Sequence, residues 1–489
     1  MRYRYLFLTL GLLLQGFGLT LLVPLFFTLI YLDYHTIGGF AIALAASFLV
    51  GTAFRKLGEG ELDEMSRIEG AAVVALSWLF VPFFGAIPFV WVGMSPLDAF
   101  FESMSGFTTT GATVITDFSQ YTHSIYIWRS MTQWLGGMGI VVLFVAVLPT
   151  LAIAGRQMFY AESPGPTEDK LTPRIRFTAI ALYKFYIALT ALETVALMIA
   201  GYPFYDALCH AFTTMAAGGF SPNPESIAGY QNTPAQWIIA VFMFIAGANY
   251  LLQYRAFKES PFNIFKDTEF RFYTAIVLFS SFVLFLVLAF YEPGSSLNSE
   301  TYGHSIFQTL TILTTTGYAS VDFEKWGWAA KTILFILMAI GGCSGSAGGG
   351  VKVVRYYIIL QFLKAALIRT RHPDAVISLR MGKTAIDNEI VRQVLSFWVL
   401  YFFILTGCGA IISIMENDII AGFSGAAATL GNIGPGFGAI GPMGNFSYWH
   451  PISKCVAIFA MWVGRLEIMT VLMLLSPSVW RPSLNSKKQ

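Results

Sequence analysis

The sequence predicts an all-α integral membrane protein. Four parallel helix–pore loop–helix repeats would surround a central pathway, preceded by two extra N-terminal transmembrane helices. Three observations support this fold class. Of the 489 residues, 56% are hydrophobic and only 12% are charged, which is about half the charge of an average soluble domain. Apolar runs of roughly 20 residues recur along the chain, each long enough to cross a bilayer. A short half-apolar stretch that ends near a glycine appears four times between them.

The apolar runs define ten predicted spans. The first lacks a small-residue cleavage signature and is too long for the core of a signal peptide, so we interpret it as a retained helix. The eighth is long and interrupted by glycines. The spans lie near residues 6–32, 36–54, 70–93, 125–150, 178–201, 235–254, 272–291, 327–366, 392–416 and 451–475.

Basic residues collect in alternate loops, and the loops between them carry few charges. The positive-inside rule therefore predicts that both termini and the basic loops face the cytoplasm. These basic residues are Arg2, Arg4, Arg55, Lys56, Arg67, Arg156, Lys170, Arg174, Arg176, Arg255, Lys258, Lys266, Arg271, those from Lys364 to Arg392, Arg481, Lys487 and Lys488. Cys209, Cys343, Cys408 and Cys455 lie in apolar segments without metal-ligand spacing, and we interpret them as small buried residues.

Four related stretches lie on the predicted outer side and are too short to cross the membrane. They read DAFFESMSGFTTTGAT from Asp98, DALCHAFTTMAAGGFS from Asp206, HSIFQTLTILTTTGYA from His304 and DIIAGFSGAAATLGNIGP from Asp418. Such stretches indicate re-entrant helices that return as loops, since non-helical backbone at that depth must be buried or line water. Asp98 and Asp206 are suitable N-caps, whereas His304 is a poor one.

In the first three stretches a glycine follows the initial residue by thirteen positions: Gly111, Gly219 and Gly317. In the fourth stretch the key glycine is either Gly431 or Gly434. The unit recurs every 100–115 residues with a span on each side, which is an internal repeat. The predicted domains are an N-terminal addition, 1–68, and four pore repeats, 69–155, 175–258, 268–370 and 388–480.

The repeated loops have the composition of a cation filter. Rings of backbone carbonyls can replace the hydration shell of a cation, and glycine permits the unusual φ angles that this requires. Asp117 and Asp322, on the outer side, could concentrate cations at the mouth. The alternative is that these are small-residue packing sites between helices. The predicted filter comprises Thr109, Thr110, Gly111, Ala112, Ala217, Gly218, Gly219, Phe220, Thr315, Thr316, Gly317, Tyr318, Asn432, Ile433, Gly434 and Pro435.

Two features on the inner side suggest a gate. The eighth span breaks at the glycine-rich segment 341–350, and we interpret this break as a flexible loop that closes the path, because no other predicted span has one. The alternative is a simple kink. Arg465 lies in the middle of the last span, two residues before Glu467, and is either a positive barrier in the pore or one half of an interhelical salt bridge. The predicted gating residues are Gly345, Gly348, Gly349, Gly350, Lys352 and Arg465.

Several motifs together resemble the Trk/Ktr/HKT superfamily of potassium transporters over essentially the whole chain. They are FESMSGFTTTGAT, AAGGFSPN, TILTTTGYASVDF, TLGNIGPGFG, GGCSGSAGGGVKVVR and WVGRLEI. The two added N-terminal spans resemble the TrkH branch. The resemblance implies Gly434 as the fourth filter glycine, and four glycines imply a preference for potassium. Ala216 and Ala217 depart from the family's threonines, which implies weaker selectivity at the second loop.

The resemblance also implies partners and a location. Members of the superfamily form homodimers with one pore per protomer, and TrkH-type subunits bind a cytoplasmic, nucleotide-binding ring of TrkA type. The basic stretches 255–271 and 364–392 are on the predicted side to meet such a ring. The family's gating loop and arginine match Gly345–Gly350 and Arg465. The expected location is a bacterial inner membrane, with both termini in the cytoplasm.

The sequence favours a gated, channel-like potassium uptake subunit that is not an enzyme. Potassium would be the transported ion, with no organic cofactor and no nucleic-acid partner. The first alternative is a secondary cation symporter that couples potassium to sodium or protons, which predicts inverted repeats with matched broken helices. The second is a membrane receptor or scaffold, which would not need four filter-like loops.

Overall fold

The computed structural model describes residues 3–59, 67–146, 171–291, 298–375, 377–382, 384–466 and 468–475. Some predicted features lie outside the described residues: Arg2, Arg156, Lys170, Lys383, Glu467, Arg481, Lys487 and Lys488, and the side chains of Arg67, Arg174 and Arg176.

Helices make up nearly all of the regular structure. They are α1 Tyr3–Thr20, α2 Leu22–Ile30, α3 Ile37–Gly58, α4 Arg67–Gly85, α5 Ile87–Trp91, α6 Pro96–Phe107, α7 His123–Ala146, α8 Leu171–Ile199, α9 Phe204–Met215, α10 Thr233–Ala246, α11 Tyr250–Lys258, α12 Thr268–Tyr291, α13 Ser299–Leu313, α14 Trp328–Met338, α15 Val353–Arg371, α16 Asn388–Glu416, α17 Ile419–Leu430, α18 Pro451–Arg465 and α19 Ile468–Leu475. Short 3₁₀ turns are Tyr34–Thr36, Phe118–Gln120, Ala228–Tyr230, Pro261–Lys266, Phe323–Lys325 and Gly438–Ile440. One small ribbon pairs β1, Arg380–Met381, antiparallel with β2, Thr384–Ala385.

Several helices have the length and apolarity of membrane spans, as predicted. Six stretches of the described chain meet this requirement, and a seventh is the bent pair α10–α11. The predicted all-α membrane fold is confirmed. The six stretches are Tyr3–Ile30, Tyr34–Gly58, Ile68–Trp91, Phe177–Ile199, Thr268–Tyr291 and Asn388–Glu416.

One expectation about breaks in the spans is wrong. The predicted span 235–254 is not a continuous helix: α10 and α11 meet at 98° across residues 247–249. The side chain of Asn249 accepts hydrogen bonds from the backbone N–H groups of Leu251 and Leu252, and so starts the new helix. Asn249, a polar residue inside an apolar run, is therefore the N-cap of α11. The glycine-rich segment 341–350 is thus not the only break in a predicted span.

The four short outer helices, α6, α9, α13 and α17, are the predicted re-entrant elements, and we call them the pore helices. Asp98 and Asp206 are not their N-caps, which corrects the sequence prediction. Ser95 caps α6 by accepting from the N–H of Asp98 at 3.2 Å, and α9 begins after Pro203. Both aspartates lie in the first turn, where their charge still favours the positive end of the helix dipole.

The buried apolar side chains form two large clusters and a small one. The first joins the N-terminal helices mainly to repeats 1, 2 and 4, and the second is formed mainly by repeats 2 and 3. The small cluster lies between α15 and α16. Cys209, Cys343 and Cys408 are buried as predicted, but Cys455 is exposed on α18. Buried side chains of all four pore helices belong to these two large clusters, which therefore fix the positions of the pore helices.

Candidate functional site

All four pore helices end in the same hydrogen-bonded motif. In α6 the N–H of Thr109 donates to the carbonyl of Gly106 at 2.9 Å, and the N–H of Thr110 donates to Ser105 at 2.8 Å. Equivalent pairs end the other three helices: Ala217 and Gly218, Thr315 and Thr316, and Asn432 and Ile433. This is the Schellman motif, which needs one residue in the left-handed conformation.

That left-handed position is never a glycine here. It is occupied by Thr109, Ala217, Thr315 and Asn432, with φ between 51° and 59°. Glycine is the usual choice there, and a β-branched threonine with positive φ is a genuine outlier. Backbone strain of this kind persists where the surrounding structure enforces it, often at functional sites. The strain in all four loops marks them as one site.

A second left-handed residue follows two positions later, and here it is always glycine. The φ angles are 85° at Gly111, 76° at Gly219, 86° at Gly317 and 108° at Gly434. Gly431 instead has φ −77° and only ends α17. The fourth loop therefore places Gly434 in the position that the sequence left open between these two glycines.

The reason for that ambiguity lies at the start of the helices. Asp98 and Asp206 are the third residues of their pore helices, thirteen positions before their glycines. Asp418 is instead the N-cap of α17, so it lies three positions earlier relative to its helix than Asp98 and Asp206 do relative to theirs. Counting from Asp418 therefore stops at Gly431, about one helical turn short.

The four loops close into a ring. A methyl group built on Gly111 would overlap the carbonyl oxygen of Gly218, one on Gly219 that of Thr316, and one on Gly317 that of Ile433. A methyl group on Gly434 would lie 2.9 Å from the carbonyl oxygen of Thr110, which returns to the first loop. Each glycine thus packs against the carbonyl that precedes the glycine of the next repeat. Backbone oxygens of all four repeats meet at one place.

Loops 1 and 3 support themselves with their own threonines. The hydroxyls of Thr108 and Thr110 lie 2.8 Å apart, and those of Thr314 and Thr316 have the same separation. Thr108 and Thr314 also donate back to the carbonyls of Met104 and Leu310. These contacts use only residues within each loop and its pore helix.

Loops 2 and 4 are supported by other repeats. Gln133, on α7 of repeat 1, donates to the carbonyl of Gly218 at 2.7 Å and accepts from the N–H of Phe220 at 3.1 Å. Asn432 donates to the Thr110 hydroxyl at 3.0 Å and to the carbonyl of Met461 at 3.1 Å. Tyr318, in loop 3, places its hydroxyl against Thr213 at the end of pore helix 2. The sequence indicates Gln133 only as a polar group inside a span, suited to an interhelical hydrogen bond, and does not connect it with the filter.

A polar cavity of about 100 Å³ opens above the ring, and we call it the outer vestibule. The four ring glycines and Arg129 are among its lining residues, whereas Asp117 and Asp322 are not. Asp117 instead caps a 3₁₀ turn, where hydrogen bonds from Ser119 lower the pKa of its carboxyl. Asp322 caps another such turn. Neither carboxylate lines the vestibule, and the expectation that these two aspartates concentrate cations at the mouth stays a prediction.

A buried ion pair lies beside the outer vestibule. The Nε of Arg129 lies 2.6 Å from Glu102 Oε1, and both side chains are almost fully buried. Arg129 also donates to the carbonyl of Ser221 at 3.0 Å, and its guanidinium stacks 3.5 Å from the ring centroid of Phe220. Glu102 accepts from the N–H of Val114 at 2.9 Å. The pair ties loop 1 to loop 2, and it is absent from the residues predicted from the sequence because its two members lie 27 residues apart on different helices.

The glycine-rich segment lies directly beneath the ring. We call residues 339–352, between α14 and α15, the intramembrane loop. The N–H of Gly349 donates to the Thr315 hydroxyl at 2.7 Å, and a methyl group on Gly348 would lie 2.8 Å from the carbonyl oxygen of Thr314. Lys352 donates to the carbonyl of Gly348 within the loop. Gly345 and Gly350 have φ of 72° and 65°, which makes the tight reversals possible.

The intramembrane loop is hydrogen-bonded to the break in repeat 2. The N–H of Cys343 donates to the carbonyl of Gly247 at 2.8 Å, and the N–H of Tyr250 donates to the carbonyl of Gly345 at 3.1 Å. The N–H of Ser344 donates to Glu269 on α12 at 2.6 Å. Each break leaves backbone groups without a partner in its own helix, and these groups form hydrogen bonds with the other broken span.

Arg465 reaches the same loop from α18. Its Nη1 lies 2.8 Å from the carbonyl oxygen of Ala347, and its Nη2 lies 3.4 Å from that of Gly136. The side chain is 3% exposed. The described contacts of Arg465 are thus with backbone carbonyls, which satisfy a buried cation through charge-assisted hydrogen bonds. The sequence-predicted gating residues come together in one layer below the ring.

The fold and the ring define a four-repeat membrane protein of the pore-loop class. A family model described as TrkH, cation transport protein, matches residues 40–483. The chain therefore belongs to the TrkH family of cation transport proteins.

Named relatives cover the chain almost completely. The Trk system potassium uptake protein TrkH of Halomonas elongata is 37% identical, over 98% of this chain and 100% of its own length. TrkH of Escherichia coli K12 is 36% identical with the same coverage. The crystal structure of the potassium transporter TrkH from Vibrio parahaemolyticus superposes with a TM-score of 0.91 at 34% identity, covering 98% of this chain and 100% of that one. The family predicted from the sequence motifs is confirmed.

Proposed function

We propose that this chain is the membrane subunit of a Trk-type potassium uptake system and conducts K⁺ through the ring of four pore loops. The observation that carries this proposal is the closed ring, in which every glycine packs against the carbonyl that precedes the glycine of the next loop. A continuous set of carbonyl oxygens can replace the water shell of a dehydrated cation. Relatives of similar length are named as potassium uptake proteins.

The ring residues fit a potassium filter. The second left-handed position of each loop is a glycine, so no side chain projects from the four ring glycines into the path. The pore helices point their C-terminal ends toward the ring, and the partial negative charge there favours a cation. In this proposal Thr109 to Ala112, Ala217 to Phe220, Thr315 to Tyr318 and Asn432 to Pro435 form the filter.

The intramembrane loop acts as the gate in this proposal. It lies against Thr315 and the end of α17 and would block an ion that leaves the ring. Arg465 holds the loop through Ala347 and adds a positive charge to the blocked path. Opening requires these contacts to break together, since the hydrogen bond of Gly349 to Thr315 and that of Arg465 to Ala347 join the loop to its surroundings.

A cytoplasmic nucleotide-binding partner of TrkA type would control opening. The proposed orientation places both termini, the stretch 255–271 and the stretch 364–392 on the cytoplasmic face of a bacterial inner membrane. The segment from Lys364 to Arg392 carries six Lys or Arg against three Asp or Glu. We further propose a homodimer with one pathway per protomer and the pore-repeat bounds 69–155, 175–258, 268–370 and 388–480.

Cation flux into proteoliposomes that contain the purified chain tests this function. With equal inward gradients, potassium and rubidium should enter far faster than sodium, and Arg465→Ala should raise the potassium flux. Arg4→Ala, at an exposed position on α1, is the matched control and should change nothing. Flux that requires a sodium or proton gradient would favour the secondary symporter. Flux that follows sodium alone would contradict the filter.

A further inference from the structure

A groove between α15 and α16 opens to the surface of the chain and is separate from the proposed ion path. It has a volume of about 770 Å³ and is lined mainly by apolar side chains. Its floor includes Ala365 and Val391, which belong to the small apolar cluster between the two helices. Its outer part is formed by Val399 and Phe403, which are 64% and 75% exposed. Nothing in the four-loop ring or the gate uses this groove.

The groove is polar at one end and apolar at the other. Arg369 and Arg392 line the end near the start of α16, together with Asn388. Arg392 forms an exposed ion pair with Glu389, and Arg369 makes a long 3.4 Å contact with the carbonyl of Ile377. Exposed pairs of this kind contribute little, so both guanidinium groups can bind an anion at small cost.

The depth of the groove matches one leaflet of a bilayer. Along α16, the eleven residue steps from Arg392 to Phe403 rise about 16 Å. Half of the hydrocarbon core is about 15 Å thick. Because α16 has 29 residues, it is longer than the hydrocarbon core, and its first turns extend into the headgroup region. The arginines therefore lie at headgroup level, and the apolar walls lie at acyl-chain level.

We propose that this groove binds one anionic phospholipid. Its phosphate would contact Arg369 and Arg392, and an acyl chain would lie along Leu395, Val399 and Phe403. Basic pockets between spanning helices at the cytoplasmic surface recognise anionic headgroups in this way. The inference goes beyond the proposed function and takes only the membrane orientation from it. A second protein chain is a poorer occupant, because the polarity along the groove is that of a lipid.

The bound lipid would contact the helix that carries the gate. Val353, the first residue of α15, directly follows the intramembrane loop. Arg355 stacks 3.7 Å from the ring centroid of Phe397 on α16, and the Tyr356 hydroxyl donates to the carbonyl of Ala339 at 2.7 Å. A lipid that packs against both helices would therefore steady the hairpin on which the loop is anchored.

Native mass spectrometry of the full-length protein tests the site. The detergent-solubilised protein is incubated with phosphatidylglycerol or phosphatidylcholine carrying the same acyl chains, and the fraction with one bound lipid is measured. The wild type should prefer phosphatidylglycerol. Each of Arg369→Gln and Arg392→Gln should weaken that preference by about five-fold, since a basic residue near a membrane surface contributes about 1 kcal/mol to anionic-lipid binding.

Two further variants separate the headgroup from the chain. The groove pair, Arg369→Gln combined with Arg392→Gln, removes two positive charges from the groove. The control pair, Lys364→Gln combined with Arg371→Gln, removes two positive charges from α15 outside the groove and should leave the preference intact. Ser396→Trp fills the groove from an exposed position and should reduce binding of both lipids. Equal losses from the groove pair and the control pair would overturn the proposal. So would inorganic phosphate displacing the lipid completely, or wild-type dimers that become monomers in the groove variants, which would identify a protein interface.

Discussion

Loops 1 and 3 differ from loops 2 and 4 in where their support comes from. All four have the same pair of left-handed residues and the same helix-ending motif. Loops 1 and 3 are held by threonine hydroxyls of their own sequence, such as Thr108 and Thr110. Loops 2 and 4 have no such pair. Gln133 of repeat 1 binds loop 2, and Asn432 of loop 4 binds Thr110 of repeat 1.

This difference teaches that one backbone geometry can be maintained in two ways. A self-supported loop depends on its own motif, and a change elsewhere leaves it largely intact. A loop supported from another repeat couples the two repeats, so a single substitution affects both. The departure of Ala216 and Ala217 from threonine does not leave loop 2 without support, because Gln133 binds the backbone on both sides of Gly219.

Breaking the geometry that all four loops share should have the largest effect. We expect Gly219→Ala to abolish selective potassium flux, because the methyl group overlaps the Thr316 carbonyl and the left-handed conformation adds about 1–2 kcal/mol of strain. The measurement is flux into proteoliposomes. Gly407→Ala on α16 is the matched control, since nothing lies within 4 Å of the added methyl group. Normal flux through the Gly219 variant would disprove the shared ring.

Removing the support of loop 2 should have the next largest effect. Gln133→Leu leaves the Gly218 carbonyl and the Phe220 N–H without this partner, at about 1–3 kcal/mol for each buried group. We expect the potassium-to-sodium flux ratio to fall about ten-fold or more. Thr108→Ala, which removes a hydroxyl from self-supported loop 1, should reduce the ratio less. The reverse order would contradict the comparison.

Removing the support of loop 4 should reduce the potassium-to-sodium flux ratio less than removing the support of loop 2. Asn432→Leu removes hydrogen bonds to Thr110 and Met461, each worth about 1 kcal/mol, and places a bulkier side chain in the left-handed position. We expect a lower midpoint temperature of unfolding in detergent and a reduced flux ratio. Asn432→Asp keeps the side-chain shape but loses the amide donor and places a carboxylate beside the Met461 carbonyl, so it should lose at least as much stability as the leucine variant. A smaller loss would show that shape matters more than the donor.

Relieving backbone strain should have the smallest effect, and in the opposite direction. Ala217→Gly places the preferred residue at φ 54° and should stabilise the protein by up to about 1 kcal/mol without changing selectivity. Thr315→Gly should increase the free energy of unfolding by less, because it also removes the hydroxyl that accepts a hydrogen bond from the Gly349 N–H. Thermal unfolding of both variants measures the difference, and equal gains would show that the Gly349 contact contributes nothing.

The sequence predicted the features that depend on local composition. Apolar runs defined the spans, and the repeated glycines marked three of the four ring positions. Residue counting failed at Gly434 because Asp418 begins its helix three residues earlier than its counterparts. Periodicity also missed the break at residues 247–249, since a single capping asparagine leaves the hydropathy of the span unchanged.

By itself, then, the sequence determined the class of protein, the four repeats and most of the ring, because spans, turns and left-handed glycines are specified by neighbouring residues. Only the tertiary structure decided how the ring is supported. Gln133 reaches Gly218 across 85 residues, and Asn432 reaches Thr110 across 322. The same holds for Arg465, whose partner Ala347 lies 118 residues away. A buried polar side chain must find a partner somewhere, but its own neighbourhood in the sequence does not specify which one.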